Sequence, residues 1–143
     1  MFSPMRTLLL SMILAIAACS TSSTKTETTA QQREVNIPTV TVDELDSKLA
    51  AGGSQAVDAN LDTTRKKLGV VPGAVLLTDS QNFQLTELPS DKSKELVFYC
   101  ANPQCGASHQ AAAKAIAAGY ANVRVMPEGI AGWVKAGKKT QLI

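Results

Sequence analysis

The sequence predicts an α/β fold in which a parallel sheet of about five strands has helices on both faces. The clearest strand is the apolar run at 96–99, which is rich in β-branched and aromatic residues, as buried strands are. The clearest helix follows it, because residues 107–118 are rich in alanine and Gly119 ends the segment as a glycine C-cap would. Such segments alternate along the chain, which indicates a parallel sheet covered by helices.

The first predicted helix begins after Thr41. Thr41 and Glu44 have the spacing of a capping box, in which each side chain accepts a hydrogen bond from the other residue's backbone N–H. Leu45 and Leu49 then fall on one helical face, and glycines at 52–53 end the helix. The other predicted elements are a strand at 55–58, a helix at 62–68 with a solvated basic run at 65–67, a strand at 75–77, a helical turn packing Leu85 and Leu88 on the core, a strand at 122–126 and a last helix ending near Gly137.

The composition is that of one globular domain with a tail. The chain has 143 residues, of which 45% are hydrophobic and 18% charged, and its formal net charge is +2. So small a charge, without basic residues interleaved with aromatic ones, gives no reason to expect a nucleic-acid partner. Cys100, Cys105 and His109 would supply only three crowded metal ligands, fewer than a structural zinc site uses. We expect a monomer with no metal and no cofactor.

Residues 1–18 have the pattern of a secretory signal peptide. Arg6 supplies the positive charge, and the apolar stretch at 8–18 is shorter than the ~20 residues of a membrane-spanning helix. Its end, Ile16-Ala17-Ala18-Cys19, resembles the lipobox of bacterial lipoprotein precursors. The resemblance implies that Cys19 is lipidated and that Ser20 directs the protein to the outer membrane, facing the periplasm. The alternative is a plain secretory signal in which Cys19 has no role.

Residues 19–36 are predicted to form a lipidated N-terminus and a flexible tether that leads to a domain at 37–143. The tether is dominated by Ser and Thr, so it cannot bury enough apolar surface to offset the entropy of ordering. Two or three acyl chains on Cys19 would anchor the domain stably in the envelope, whereas a single chain would not.

Cys100 is the main candidate for chemistry. It directly follows the buried strand, and Asn102, Pro103 and Gly106 break the strand pattern before the next helix begins. A loop that enters a helix N-terminus presents backbone N–H groups, which favour an anion such as a thiolate. The alternative is a buried structural cysteine, but the presence of Cys105 in the same loop favours a chemical role.

Two further side chains are candidates for supporting roles. Asp58 ends a predicted strand, so it lies with Cys100 at the carboxyl edge of the sheet, where parallel sheets bind ligands. It acts either as an active-site carboxylate or as an acceptor of backbone N–H bonds that fixes the next turn. His109 lies in the first or second turn of the helix after the loop, where it either faces the loop as a proton donor or lies on the surface.

Four motifs, in order over residues 38–143, resemble those of the rhodanese-like domain. The first is Val57-Asp58-Ala59-Asn60, similar to the family's "VDVR" strand end, and the second is Gly69-Val70-Val71-Pro72-Gly73-Ala74, similar to its "GHIPGA" turn. The third is Phe98-Tyr99-Cys100, similar to the strand that delivers its catalytic cysteine. The fourth is Gly119-Tyr120 with Asn122-Val123 and Gly129-Ile130-Ala131-Gly132-Trp133, similar to its C-terminal pattern. The resemblance implies sulfurtransferase chemistry. Cys100 would accept sulfane sulfur from a small donor as a persulfide and pass it to a thiol acceptor.

The loop that would surround the catalytic sulfur differs from the pattern of the family. It comprises Cys100, Ala101, Asn102, Pro103, Gln104, Cys105, Gly106, Ala107 and Ser108. Cys105 stands where the family often has Arg, the loop is about two residues longer, and Pro103 lacks an N–H for anion binding. A curled loop would bring the two cysteines within the ~4.4–6.8 Å Cα separation that a disulfide needs.

Three functions therefore remain open. The first is a sulfurtransferase in which Cys105 is a resolving thiol that discharges the persulfide as sulfide. The second is a thiol–disulfide redox or sensing module that uses the Cys100–Cys105 pair. The third is a catalytically inactive binding module in which the pair is a structural disulfide. Detection of a persulfide on Cys100 distinguishes the first from the others.

Overall fold

The structure, a computed structural model, describes residues 35–143. Its elements are, in order, α1 (Val42–Ala50), β1 (Ser54–Asp58), α2 (Asp62–Leu68), β2 (Val75–Leu76), a 3₁₀ turn (Leu85–Glu87), β3 (Glu95–Tyr99), α3 (Ala107–Ala117), β4 (Val123–Val125) and α4 (Gly129–Lys135). The predicted alternation of strands and helices is confirmed, with small differences at the ends of the elements.

In this part of the chain, four strands form one parallel sheet in the order β2–β1–β3–β4. Beside β4, Thr39 adds a single-residue parallel bridge to Val125. The Val125 N–H donates to the Pro38 carbonyl at 3.0 Å, and the Val40 N–H donates to the Val125 carbonyl at 2.9 Å. The sheet is thus four strands with one minimal extension, and the predicted α/β fold is confirmed.

The two faces of the sheet bury different cores because successive strand side chains point to opposite sides. Leu96, Phe98 and Cys100 belong to the core that includes the alanines of α3. Val97 and Tyr99 belong to the core that includes residues of α1 and α4. Helices therefore cover both faces, and Cys100 lies on the α3 side.

The capping box at the start of α1 is confirmed. The Thr41 hydroxyl accepts a hydrogen bond from the Glu44 N–H at 3.2 Å, and the Glu44 carboxylate accepts one from the Thr41 N–H at 2.7 Å. Both bonds satisfy N–H groups that the helix itself leaves without partners. Leu45 is fully buried one turn later, so the cap fixes the register with which α1 meets the sheet.

Two predictions about buried side chains are wrong. Leu85 is 42% exposed, because its turn is 3₁₀ and the core is filled by Phe83 and Leu88 instead. Arg65, expected on a solvated face, is only 5% exposed. Its guanidinium reaches inward to carboxylate and carbonyl oxygens at the ends of β1 and β2, which replace its water.

The predicted signal peptide, the lipidated Cys19 and nearly all of the predicted tether lie outside the described residues. Between residues 35 and 143, no helix is long and apolar enough to cross a bilayer. The first buried side chain in this range is that of Ile37.

Candidate active site

Cys100 lies at the carboxyl edge of the sheet, immediately after β3. β3 pairs with β1 on one side and β4 on the other, so Cys100 ends a central strand. Its side chain is 2% exposed and packs in the apolar core beneath α3. The rigid sheet therefore fixes the position of this sulfur from below.

Cys105 is the disulfide partner of Cys100 in this structure. The two Cα atoms are 6.3 Å apart, within the range that a disulfide requires. The Cys100 sulfur also lies 3.2 Å from the carbonyl oxygen of Cys105. The loop thus brings together the two cysteines that the sequence singles out.

Asn102 shapes the loop between the cysteines. Its side-chain oxygen accepts the N–H of Gln104 at 3.0 Å, and its carbonyl accepts the N–H of Cys105 at 3.1 Å. This is the local pattern of an Asx turn. Asn102, Pro103 and Gln104 are exposed, so the turn faces solvent while Cys100 is buried.

The far end of the loop enters α3 without a side-chain cap. Gly106 is the N-cap residue, and its carbonyl accepts the Gln110 N–H at 3.1 Å. Among residues 35–143, the N–H groups of Ala107, Ser108 and His109 have no hydrogen-bond acceptor. Ser108 is buried in the first turn of α3, beside the loop. Such unpaired N–H groups favour negative charge nearby.

Asp58 has structural partners. Its Oδ1 accepts the backbone N–H of Asn60 at 2.7 Å and lies 3.2 Å from Arg65 Nε. Arg65 Nη2 also donates to the carbonyls of Asp58 and Leu77, at 3.1 and 2.8 Å. These bonds tie the ends of β1 and β2 together beside the strand that carries Cys100. They do not bring the Asp58 carboxylate to the sulfur.

Tyr99, the residue before Cys100, is held on the opposite face. Its hydroxyl accepts the Val71 N–H at 3.0 Å. Burial, together with the nearby Asp58 carboxylate, raises the pKa of Tyr99, so its hydroxyl remains protonated. The end of β3 is thereby anchored by a neutral, buried side chain.

His109 is exposed on α3 and lines a shallow pocket with Val35, Asn36, Ile37 and Thr39. The imidazole thus lies against the segment that precedes α1. Over the described range, no group of three or more His, Cys, Asp or Glu side chains is arranged to hold a metal ion.

The profile of the rhodanese-like domain matches residues 41–136. The chain belongs to the rhodanese-like domain family. Comparison with curated protein sequences gave no significant match. The matched range contains the four strands of the sheet, both cysteines of the loop and α4, so the rhodanese-like domain accounts for most of the described structure.

Solved structures share this rhodanese-like fold at low sequence identity. A protein from Bacillus halodurans has a TM-score of 0.64 at 23% identity, over 73% of this chain and 77% of the other. A thiosulfate sulfurtransferase from Pseudomonas aeruginosa has a TM-score of 0.61 at 20% identity, over 74% of this chain and 20% of its own longer chain. A human single-domain sulfurtransferase has a TM-score of 0.55 at 24% identity, over 68% of this chain and 96% of the other.

Sequence reasoning missed two contributions to this rhodanese-like site. The basic run at 65–67 predicts a solvated face for Arg65, and only the Asp58 strand end seven residues earlier indicates a buried pair. In the sequence the first turn of α4 stands out only as part of a family motif, yet in the structure the Ile130 N–H donates to the Cys100 carbonyl at 2.8 Å. The adjacent Gly129, unlike an ordinary helix residue, has φ of +63°.

Proposed function

We propose that the chain is an envelope sulfurtransferase in which Cys100 carries sulfane sulfur as a persulfide. One observation carries the proposal: Cys100 ends a central strand below the start of α3, where N–H groups are unpaired, and a second cysteine lies within bonding distance. The family and the two sulfurtransferases of the same fold support it. The proposed partners are a small sulfane-sulfur donor and a thiol acceptor, and the protein acts as a monomer.

In the loading step, the reduced Cys100 thiolate attacks the outer sulfur of the donor. A bond forms between Cys100 Sγ and that sulfur, the donor's own bond to it breaks, and the donor leaves with the electron pair of the broken bond. Thiolate is the required nucleophile, and the unpaired N–H groups at the start of α3 favour it over the thiol.

The persulfide then has two fates. An acceptor thiolate can attack the outer sulfur, which breaks the bond to Cys100 and regenerates its thiolate. Alternatively, the Cys105 thiolate attacks Cys100 Sγ, the disulfide forms and hydrosulfide leaves, so the two cysteines supply the two electrons that reduce the sulfur. The second route stops after one turnover until an external thiol reduces the disulfide.

A second candidate function is thiol–disulfide redox or sensing by the pair itself. The disulfide between Cys100 and Cys105 favours it, because the pair can cycle in an oxidising compartment without any sulfur transfer. A redox module would exchange with dithiol partners but would not accumulate a persulfide on Cys100. A binding module with a structural disulfide would do neither.

We further propose that lipid on Cys19 anchors the domain to the outer membrane, facing the periplasm. The motif Ile16-Ala17-Ala18-Cys19 and the Ser/Thr-rich segment that follows support this location. A tether from Cys19 would let the folded domain meet soluble donors and acceptors while the lipid retains it in the envelope.

The test is single-turnover loading of the reduced protein with a sulfane donor, read by intact mass. The wild type and Cys105→Ser should each gain the mass of one sulfur atom, and the persulfide of Cys105→Ser should last longer because no neighbouring thiol attacks it. Cys100→Ser should gain none. Equal loss of loading in both variants would contradict the carrier and resolver assignment. A reduced wild type that never loads would refute sulfur transfer.

A further inference from the structure

Gly129 lies in direct contact with the backbone of the Cys100 loop. A Cβ placed on Gly129 would be 2.6 Å from both the Ala101 carbonyl carbon and the Cys100 carbonyl oxygen. It would also be 2.7 Å from the Ala101 carbonyl oxygen. These are backbone atoms, so no side-chain rotation can relieve the overlap. Any larger residue at position 129 must move the peptide units that follow the reactive sulfur.

The first turn of α4 binds those same peptide units. The Ile130 N–H donates to the Cys100 carbonyl at 2.8 Å, and the Ala131 N–H donates to the Ala101 carbonyl at 3.0 Å. These two donors would otherwise lack acceptors at the start of a helix. The close approach that Gly129 permits therefore allows α4 to form these two hydrogen bonds with the loop just after Cys100.

These two hydrogen bonds set the direction of the Ala101 and Asn102 N–H groups. In a planar trans peptide the C=O and the N–H point to opposite sides. Because the Cys100 and Ala101 carbonyls point at α4, the N–H groups of Ala101 and Asn102 point away from it. Within residues 35–143, neither of these N–H groups has a hydrogen-bond acceptor. Both are free to donate to an anion held above Cys100.

We propose that Gly129 is a positioning residue for Cys100: it lets the first turn of α4 hold the Cys100 and Ala101 carbonyls, so that the next two N–H groups stabilise negative charge on the reacting sulfur. The sulfur-transfer part of this role rests on the proposed function. The effect on the thiolate itself does not, because it concerns the reactivity of Cys100 towards any electrophile.

No charged side chain of residues 35–143 makes a hydrogen bond to the Cys100 sulfur. Asp58 on β1 is bound to Arg65 of α2, and His109 on α3 lines the pocket beside residues 35–39. Glu128 precedes α4. Its Cβ and Cγ lie beside Gly132, and its Oε2 is buried without a hydrogen-bond partner among residues 35–143. Residues 100–106 contain no ionisable side chain besides the two cysteines. Backbone N–H groups are therefore the main local donors to the Cys100 thiolate.

The test compares Gly129→Ala with Gly137→Ala in the full chain carrying Cys105→Ser, which leaves Cys100 unpaired. Gly137 also has positive φ, +74°, but a Cβ there meets nothing within 4 Å. Alanine thus strains the backbone at both positions, and only at 129 does it collide with the loop. The measurements are the pH profile of Cys100 alkylation by iodoacetamide and the rate of persulfide loading.

Gly129→Ala should shift the alkylation profile to higher pH and slow loading by about 10- to 100-fold, the effect of a displacement near 1 Å at a reacting centre. Gly137→Ala should leave both at the values of the Cys105→Ser parent. Equal profiles for the two glycine variants would overturn the proposal. If the parent itself fails to load, sulfur transfer is refuted, while the alkylation profiles still decide the positioning role.

Ala131→Pro provides a second variant should Gly129→Ala not fold. Ala131 is exposed in the first turn, where proline removes the N–H to the Ala101 carbonyl without removing a bond inside the helix. It should shift the alkylation profile in the same direction as Gly129→Ala, by a smaller amount. A profile identical to that of the parent would overturn the proposal.

Discussion

Replacing Arg65 with Met should strongly destabilise the carboxyl edge of the sheet. The Arg65 guanidinium holds the Asp58 carboxylate and two backbone carbonyls, those of Asp58 and Leu77. The two side chains of this ion pair are 6% and 0% exposed, so the pair is largely shielded from solvent. Met keeps most of the side-chain length and removes only the charge and the donors.

The expected loss follows from what remains buried. Removing one member of a buried ion pair costs about 3–5 kcal/mol, because the other charge is left without compensation. Here the Asp58 carboxylate keeps the Asn60 N–H. The Asp58 and Leu77 carbonyls each lose a bond from the guanidinium, although the Asp58 carbonyl keeps the Leu77 N–H. We expect a loss of about 4 kcal/mol, a large part of the ~5–15 kcal/mol that stabilises a domain.

Urea denaturation followed by the fluorescence of Trp133 measures this loss. Trp133 is the single tryptophan and is 2% exposed. At an m-value of about 2 kcal/mol/M, Arg65→Met should lower the midpoint by roughly 2 M. The exposed neighbour provides the control: Lys66→Met should stay within ~0.5 kcal/mol. Adding Asp58→Asn to Arg65→Met should restore part of the stability, because it removes the buried charge that has lost its partner. A loss below ~1 kcal/mol for Arg65→Met alone would refute the reasoning.

Three further predictions concern the helix cap, the loop and the anchor. Thr41→Ala should lose about 0.5–2 kcal/mol in the same assay, and an unchanged midpoint would mean that the capping box does not stabilise α1. Gln104→Arg should speed the loading of Cys100 by thiosulfate, which is a dianion, by roughly fivefold, since a close charge pair in water gains about 1 kcal/mol. An unchanged loading rate would show that charge at this position does not limit donor binding. Cys19→Ser should move the protein from the membrane to the soluble fraction with its unfolding transition intact, whereas a variant still bound to membranes would contradict lipid anchoring.

The position of Cys100 could be predicted because it depends on local patterns. A buried strand, turn residues and an alanine-rich helix follow one another, and this order places the cysteine at the carboxyl edge. The short spacing to Cys105 limits how far apart the two Cα atoms can lie. The start of α1 was equally predictable, since both bonds of the Thr41 cap join residues three apart.

The missed features depend on contacts between distant parts of the chain. The burial of Arg65 requires the carbonyls of Asp58, at the end of β1, and of Leu77, just after β2 and twelve residues further along the chain. The close approach of Gly129 to the loop joins segments nearly thirty residues apart, and no local pattern encodes it. The predicted burial of Leu85 is wrong for a different reason. Its turn is 3₁₀ rather than α-helical and so presents another face to the core.

The two cysteines are held by different parts of the structure, and this difference separates their roles. The carbonyl of Cys100 is bound to α4, and its strand is paired on both sides. The backbone N–H of Cys105 is bound only within the loop, to the Asn102 carbonyl. When the disulfide is reduced, Cys105 can therefore move while Cys100 stays in place. A persulfide on Cys100 adds one sulfur atom where Cys105 Sγ now lies, so the disulfide and the loaded state exclude each other. Loading should accordingly require prior reduction, and the oxidised protein should take up no sulfur even with excess donor.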